Sequence, residues 1–128
     1  MTGSVSDGAA AQARPSTRVA LARLAHDVVA QLPAAALTAG PDARWLTSDA
    51  SRRIRGVQAV AAPDGRFELA LHLVVAWPPG PLDALAGDLR RRVRAAARRA
   101  GLEADLGEVQ IHIDDVHGPG DPRPAPQT

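Results

Sequence analysis

The chain has no cysteine, no lysine and no tyrosine, and its only aromatic residues are one phenylalanine and two tryptophans. Absence of cysteine excludes disulfides, a thiol nucleophile and thiolate-ligated zinc. Absence of lysine excludes a Walker-type phosphate loop, whose lysine reaches the terminal phosphates. All 15 basic residues are therefore arginines, set against 14 acidic ones. The formal net charge of +1 gives no global attraction to nucleic acid. Scarcity of aromatics also removes the platforms on which single-stranded bases stack. No apolar run approaches the roughly 18 residues that span a bilayer. The first residues, MTGSVSDGAAAQARPST, lack the basic start and apolar block of a secretory signal. A cytoplasmic protein without a transmembrane segment is the expectation.

What is present suits one domain. The chain has 128 residues, of which 45% are hydrophobic, mostly Ala, Val and Leu. Residues 1–15 lack periodicity and predict a disordered tail; the Pro/Gly-rich stretch 117–128 predicts another. The folded body is expected over 16–116. Ser16 or Thr17 can cap a first helix. Leu21, Leu24, Ala25, Val28 and Leu32 recur at helical spacing, and Pro33 ends the run. The segment from Ala34 to Arg55 shows no period and receives no assignment. A hairpin follows, with a strand from Gly56 to Ala61, a turn at Pro63-Asp64-Gly65 and a long strand from Arg66 to Trp77. Phe67, Leu69, Leu71, Leu73, Val75 and Trp77 share its core face. Glu68, Ala70, His72, Val74 and Ala76 share the other.

Pro81 opens a second helix, from about Leu82 to Ala100. Leu82, Leu85, Leu89, Val93, Ala96 and Ala100 fall in one sector. Asp83 and Asp88 lie early and the arginines late, as the helix dipole favours. The last strand, Glu108 to Val116, points Val109, Ile111 and Ile113 one way and Gln110, His112 and Asp114 the other. A strand–helix–strand connection predicts that the long and last strands are parallel. The fold class is therefore α+β: a two-layer α-β-β-α-β domain, with a small mixed sheet and two helices on one face. The opposite face, with His72, Val74, Gln110, His112 and Asp114, is expected to be open. It invites a partner or the loop after the first helix.

Few side-chain groupings carry chemistry. Arg91, Arg94 and Arg98 form a stripe opposite the core side of the second helix. Such a stripe suits phosphates, anionic head groups or a protein partner, and equally a solvated helix face in a chain that uses arginine for every cation. His72 and His112 face one way near Asp114 and Glu68, a ligand set that zinc accepts. Each histidine is isolated in sequence, however, so no metal and no cofactor is assigned. His26 and Asp27 are consecutive on a helix and are expected to point apart. Ser48 and Ser51 lack a nucleophile-elbow context and read as turn residues. Asp114 and Asp115, adjacent on a strand, are expected to face opposite ways and form no acid–base pair. Trp77 is expected to pack at the end of the core face and Trp45 to act as a lid. No catalytic residue emerges.

The order of these segments carries a resemblance. The first helix runs into LPAAALTAG, Arg53 to Val57 gives R-x-x-G-V, and ELALHLVVAW is closed by PPGP. LDALAGDLRRRVRAAARRAGL and EVQIHIDDV complete the sequence. This resembles the alkaline shock protein family, the general stress proteins of the bacterial envelope stress response, over about Arg18 to Val116. Two departures stand out. Leu32-Pro33-Ala34-Ala35-Ala36-Leu37 replaces the family's V-x-G-V turn, and Trp77 stands where a small residue is usual. The resemblance implies a non-enzymatic scaffold or adaptor, cytoplasmic or peripheral at the inner face of the membrane. It implies a protein partner, such as a small membrane-anchored protein or a paralogue, or self-association. No catalytic residues carry over. The alternative is a small nucleic-acid-binding module that uses the Arg-rich helix. It is similar to one KH-type order of elements but has no G-x-x-G loop.

Overall fold

The computed structural model describes residues 16–49 and 52–118. In chain order these form helix α1 (Thr17–Ala30), strands β1 (Ala35–Leu37), β2 (Leu46–Ser48), β3 (Arg53–Arg55), β4 (Val57–Ala61) and β5 (Phe67–Ala76), helix α2 (Leu82–Arg99) and strand β6 (Leu106–His117). Single 3-10 turns at Pro41–Ala43 and Glu103–Asp105 precede β2 and β6. The α+β class and the mixed sheet follow the reading of the sequence.

Strand β5 is the axis of the sheet. Strand β6 runs parallel to it along one edge, from Phe67↔Leu106 to Ala76↔His117. Its other edge is shared by two antiparallel strands laid end to end. Strand β4 pairs with residues 67–71 and β1 with residues 73–75. His72 sits at the join: its N–H donates to Gly56 O and its carbonyl accepts from Thr38 N, both at 2.9 Å. The two strand ends abut so closely that a Cβ on Gly56, whose φ is +83°, would lie 2.6 Å from Leu37 Cβ. Only glycine fits there.

The outer edge of β4 is closed by a side chain. Thr47, on the β2–β3 ribbon, is 1% exposed. Its hydroxyl donates to Val57 O at 2.7 Å and accepts from Ala59 N at 2.9 Å. It thereby satisfies backbone groups that would otherwise be buried unpaired.

The apolar face of β5 meets both helices. Leu69, Leu71 and Leu73 are fully buried against Val19, Leu21, Ala25 and Val29 of α1 and Leu89, Val93 and Ala97 of α2. Ser16 caps α1, its Oγ accepting from Val19 N. Leu24 and Ala96, expected in the core stripes, are only half-buried.

Several boundaries differ from expectation. The segment after α1 forms three short strands. The expected tail over 1–15 lies outside the described residues, as does Ser51. The C-terminal tail cannot begin at 117, because His117 is the last residue of β6 and its carbonyl accepts from Trp77 N at 2.7 Å. Trp77 is 58% exposed and does not close the core. Pairing along β5 ends at Ala76, and the chain turns away at Pro78-Pro79 before reaching helix cover. Strand β6 also contains a β-bulge, since Leu73 pairs with Ile113 but Val74 with Asp115. The extra residue is Asp114. The bulge resets the alternation, so Val116 rather than Asp115 packs toward the core. Asp114 and Asp115 therefore do not face opposite ways as expected.

Candidate functional site

The sheet face away from the helices is not open at its centre. Trp45 lies flat on the His72 ring, with centroids 4.1 Å apart and planes 5° apart. His112, opposite His72 in register, stacks on it at 4.8 Å and 11°. The backbone of Trp45 is pinned on both sides: its N–H donates to Ala39 O and its carbonyl accepts from Gly56 N. His72 is consequently buried, at 6% exposure, and Val74 on the same face is buried as well, at 9%, which corrects the expectation that they line an open face. His112 remains exposed, and the side chain of Asp114 keeps 26% of its surface. Trp45 is a lid as expected, but over this face of the sheet.

Both ring nitrogens of His72 are engaged. Nδ1 donates to Asp114 Oδ2 at 3.1 Å, and Nε2 lies 2.9 Å from Gln58 Oε1. Burial holds the His72 pKa below its ordinary 6.5; the charge of Asp114 opposes this, and the charge of His112 adds to it. The unfolded chain then binds a proton at higher pH than the folded one. Stability from His72 is thus complete above about pH 6.5 and is lost as pH falls from there toward the folded pKa. The urea midpoint should fall between pH 7.5 and 5.5, with a shallower slope in His72→Gln. An NMR titration should place the His72 midpoint below 6.5; a midpoint above it contradicts this description. With both nitrogens occupied and Trp45 over one face, His72 has no room for a substrate proton. Among the described residues no group of three His, Asp or Glu is arranged to hold a metal.

The other expected residue set is the arginine stripe of α2. Arg94 leaves solvent and donates to Gly107 O at 2.8 Å. Arg98 makes a two-nitrogen contact with Glu103 Oε2 at 2.9 and 3.1 Å, which holds the Glu103 carboxyl below the ordinary carboxylate range. Arg91 is exposed and 3.7 Å from Asp88. Of the stripe, Arg91 and Arg98 both stay exposed, and only Arg94 is drawn in against the sheet edge. His26 Nδ1, expected to point away from Asp27, comes within 3.5 Å of its Oδ1; Arg23 Nε holds the same oxygen at 3.2 Å.

A different cluster of arginines surrounds a groove of about 560 Å³ between α1 and α2. Ala20, Leu24 and Val28 of α1, with Ala95, Ala96 and Leu102, form its floor. Arg23, Arg52, Arg92 and Arg99 surround that floor, against the single carboxylate of Asp27. Arg23 is paired with Asp27 and Arg92 with Asp88. The side chains of Arg52 and Arg99 have no ion pair among the described residues. The small alanines on both helices keep the cleft open. The sequence held only one hint of it, alanines at core-stripe positions of α2 where a filled core would place leucine.

The groove offers guanidiniums and the single carboxylate of Asp27, itself paired with Arg23, around an apolar surface, an arrangement suited to binding. No helix among the described residues is long and apolar enough to cross a membrane. No family model, curated protein or solved structure matches the chain.

Proposed function

We propose that this protein is a non-enzymatic adaptor of the bacterial cell-envelope stress response, acting through protein–protein contacts at the inner surface of the membrane. The α1–α2 groove carries the reading. Four guanidiniums against one carboxylate, around an alanine- and leucine-lined floor, complement an acidic segment that buries a few apolar side chains. The resemblance in the order of elements supplies the cellular setting. The nucleic-acid alternative is the weaker reading, because Arg94 is committed to Gly107 and no aromatic ring lines the groove to stack a base.

A synthetic amphipathic peptide of leucines and glutamates tests the groove by fluorescence anisotropy. Binding should weaken as salt rises. It should be lost in the Arg52→Glu/Arg99→Glu double variant and be absent for a peptide with lysine in place of each glutamate. Equal binding of the two peptides, or binding only to single-stranded RNA, contradicts the proposal.

A further inference from the structure

The two edges of the sheet are finished differently. On the β4 side the Thr47 hydroxyl occupies the outward groups of Val57 and Ala59. On the β6 side the protection is partial. Because Leu71 pairs in parallel with Ile111, and the backbone of His72 is turned toward β4 and β1, Gln110 and His112 direct their backbone groups to β5. Val109, Ile111 and Ile113 direct theirs outward, as does the carbonyl of Gly107 beyond a second register shift. Arg94 caps the carbonyl of Gly107, and Arg90 caps that of Val109 at 3.0 Å. Beyond the bulge, Val116 N–H is capped by Asp115 Oδ1 at 2.8 Å. Between these caps the N–H and carbonyl groups of Ile111 and Ile113 have no partner among the described residues, a short open edge carrying two half-buried isoleucines.

We infer that this gap pairs with the same gap of a second copy, β6 against β6 in antiparallel orientation, on a twofold axis through His112. The register follows from which groups are free. Placing Ile111 opposite Ile113 of the second copy, and the reverse, forms four backbone hydrogen bonds and uses all four free groups. Centring instead on Ile111 would set Ile113 against Val109, whose carbonyl Arg90 already holds. A second copy matches the length of the gap because the twofold reproduces its caps on both sides. In this register the two His112 side chains are direct neighbours on the face away from the helices and extend the Trp45–His72–His112 stack. The pairing is independent of the groove. Arg90 and Arg94 reach β6 from one flank of α2, whereas Arg92 and Arg99 line the groove from the other.

Sedimentation equilibrium of the full chain should show a reversible dimer. His112→Glu, an exposed substitution that sets two carboxylates opposite one another, should raise its dissociation constant at least tenfold. The natural absence of cysteine allows a register test. His112→Cys should form a disulfide-linked dimer on mild oxidation, since facing residues of this type lie about 4.5 Å apart at Cα. Gln110→Cys should not, because four residues of strand, roughly 14 Å, separate the two copies. A chain that stays monomeric up to its solubility limit overturns the inference. So does a dimer unaffected by His112→Glu, or one that cross-links through position 110 and not 112.

Discussion

Gly40→Ala should unseat the tryptophan lid and destabilise the protein by about 2–4 kcal/mol. Two costs combine. Gly40 has φ 76° and ψ −179°, a region that residues with a Cβ essentially do not enter, at about 1–3 kcal/mol. A Cβ there would also lie 2.2 Å from Trp45 Cε3, inside the indole ring system. The ring must then leave His72, giving up a stacked pair worth roughly 0.5–1.5 kcal/mol and wetting His72. In a Trp77→Phe background, which leaves Trp45 as the sole indole, its emission should shift to the red. The melting midpoint should drop by about 10 °C or more. Unchanged emission and a midpoint within 2 °C of the parent would show that Trp45 is not seated against Gly40.

Leu71→Ala should cost about 3–5 kcal/mol, the upper part of the range for such a deletion. Leu71 is fully buried at the centre of β5, with Val57 beside it on one strand and Ile111 on the other. Both neighbours lie on strands laddered to β5, and both helices press on the same face, so the cavity has little freedom to collapse. Val60→Ala provides the contrast. Val60 is 62% exposed, and its loss should change stability by no more than about 0.5 kcal/mol. Urea unfolding of the two variants reads the difference directly. Similar effects from both would mean that the β5 face is not the core.

The parts legible in the sequence were those with a long local period. Phe67–Ala76 alternates over ten residues and α2 repeats over eighteen, so hairpin, crossover helix and parallel last strand followed from these periods, the Pro63-Asp64-Gly65 turn and the crossover rule. Strands β1, β2 and β3 have three residues each, too few to show a period. They exist because distant backbone needs partners: β1 completes the edge of β5, and the β2–β3 ribbon carries Thr47 to β4. The bulge at Asp114 was hidden for a related reason. One inserted residue moves the next core-facing position from 115 to 116, a change that is plain only in the pairing register.

The candidate sites divide in the same way. Alternation put His72, His112 and Asp114 on one face correctly, but Trp45 covers them only because the chain folds back at Gly40. Angular position on α2 singled out Arg91, Arg94 and Arg98, yet it ignores the reach of an arginine, which lets Arg94 cap Gly107 on the edge of β6. The groove draws Arg23, Arg52, Arg92 and Arg99 from three separate parts of the chain, and no local pattern links them.

Photo-cross-linking in the native cell tests the central claim most directly, with a benzophenone side chain replacing Ala95 on the groove wall. The adaptor reading predicts a product in the membrane fraction, cross-linked to an acidic segment of a partner protein. That product should disappear when Arg52 and Arg99 are changed to glutamate. A product that is insensitive to those charges, one that contains nucleic acid, or no product at all would contradict it.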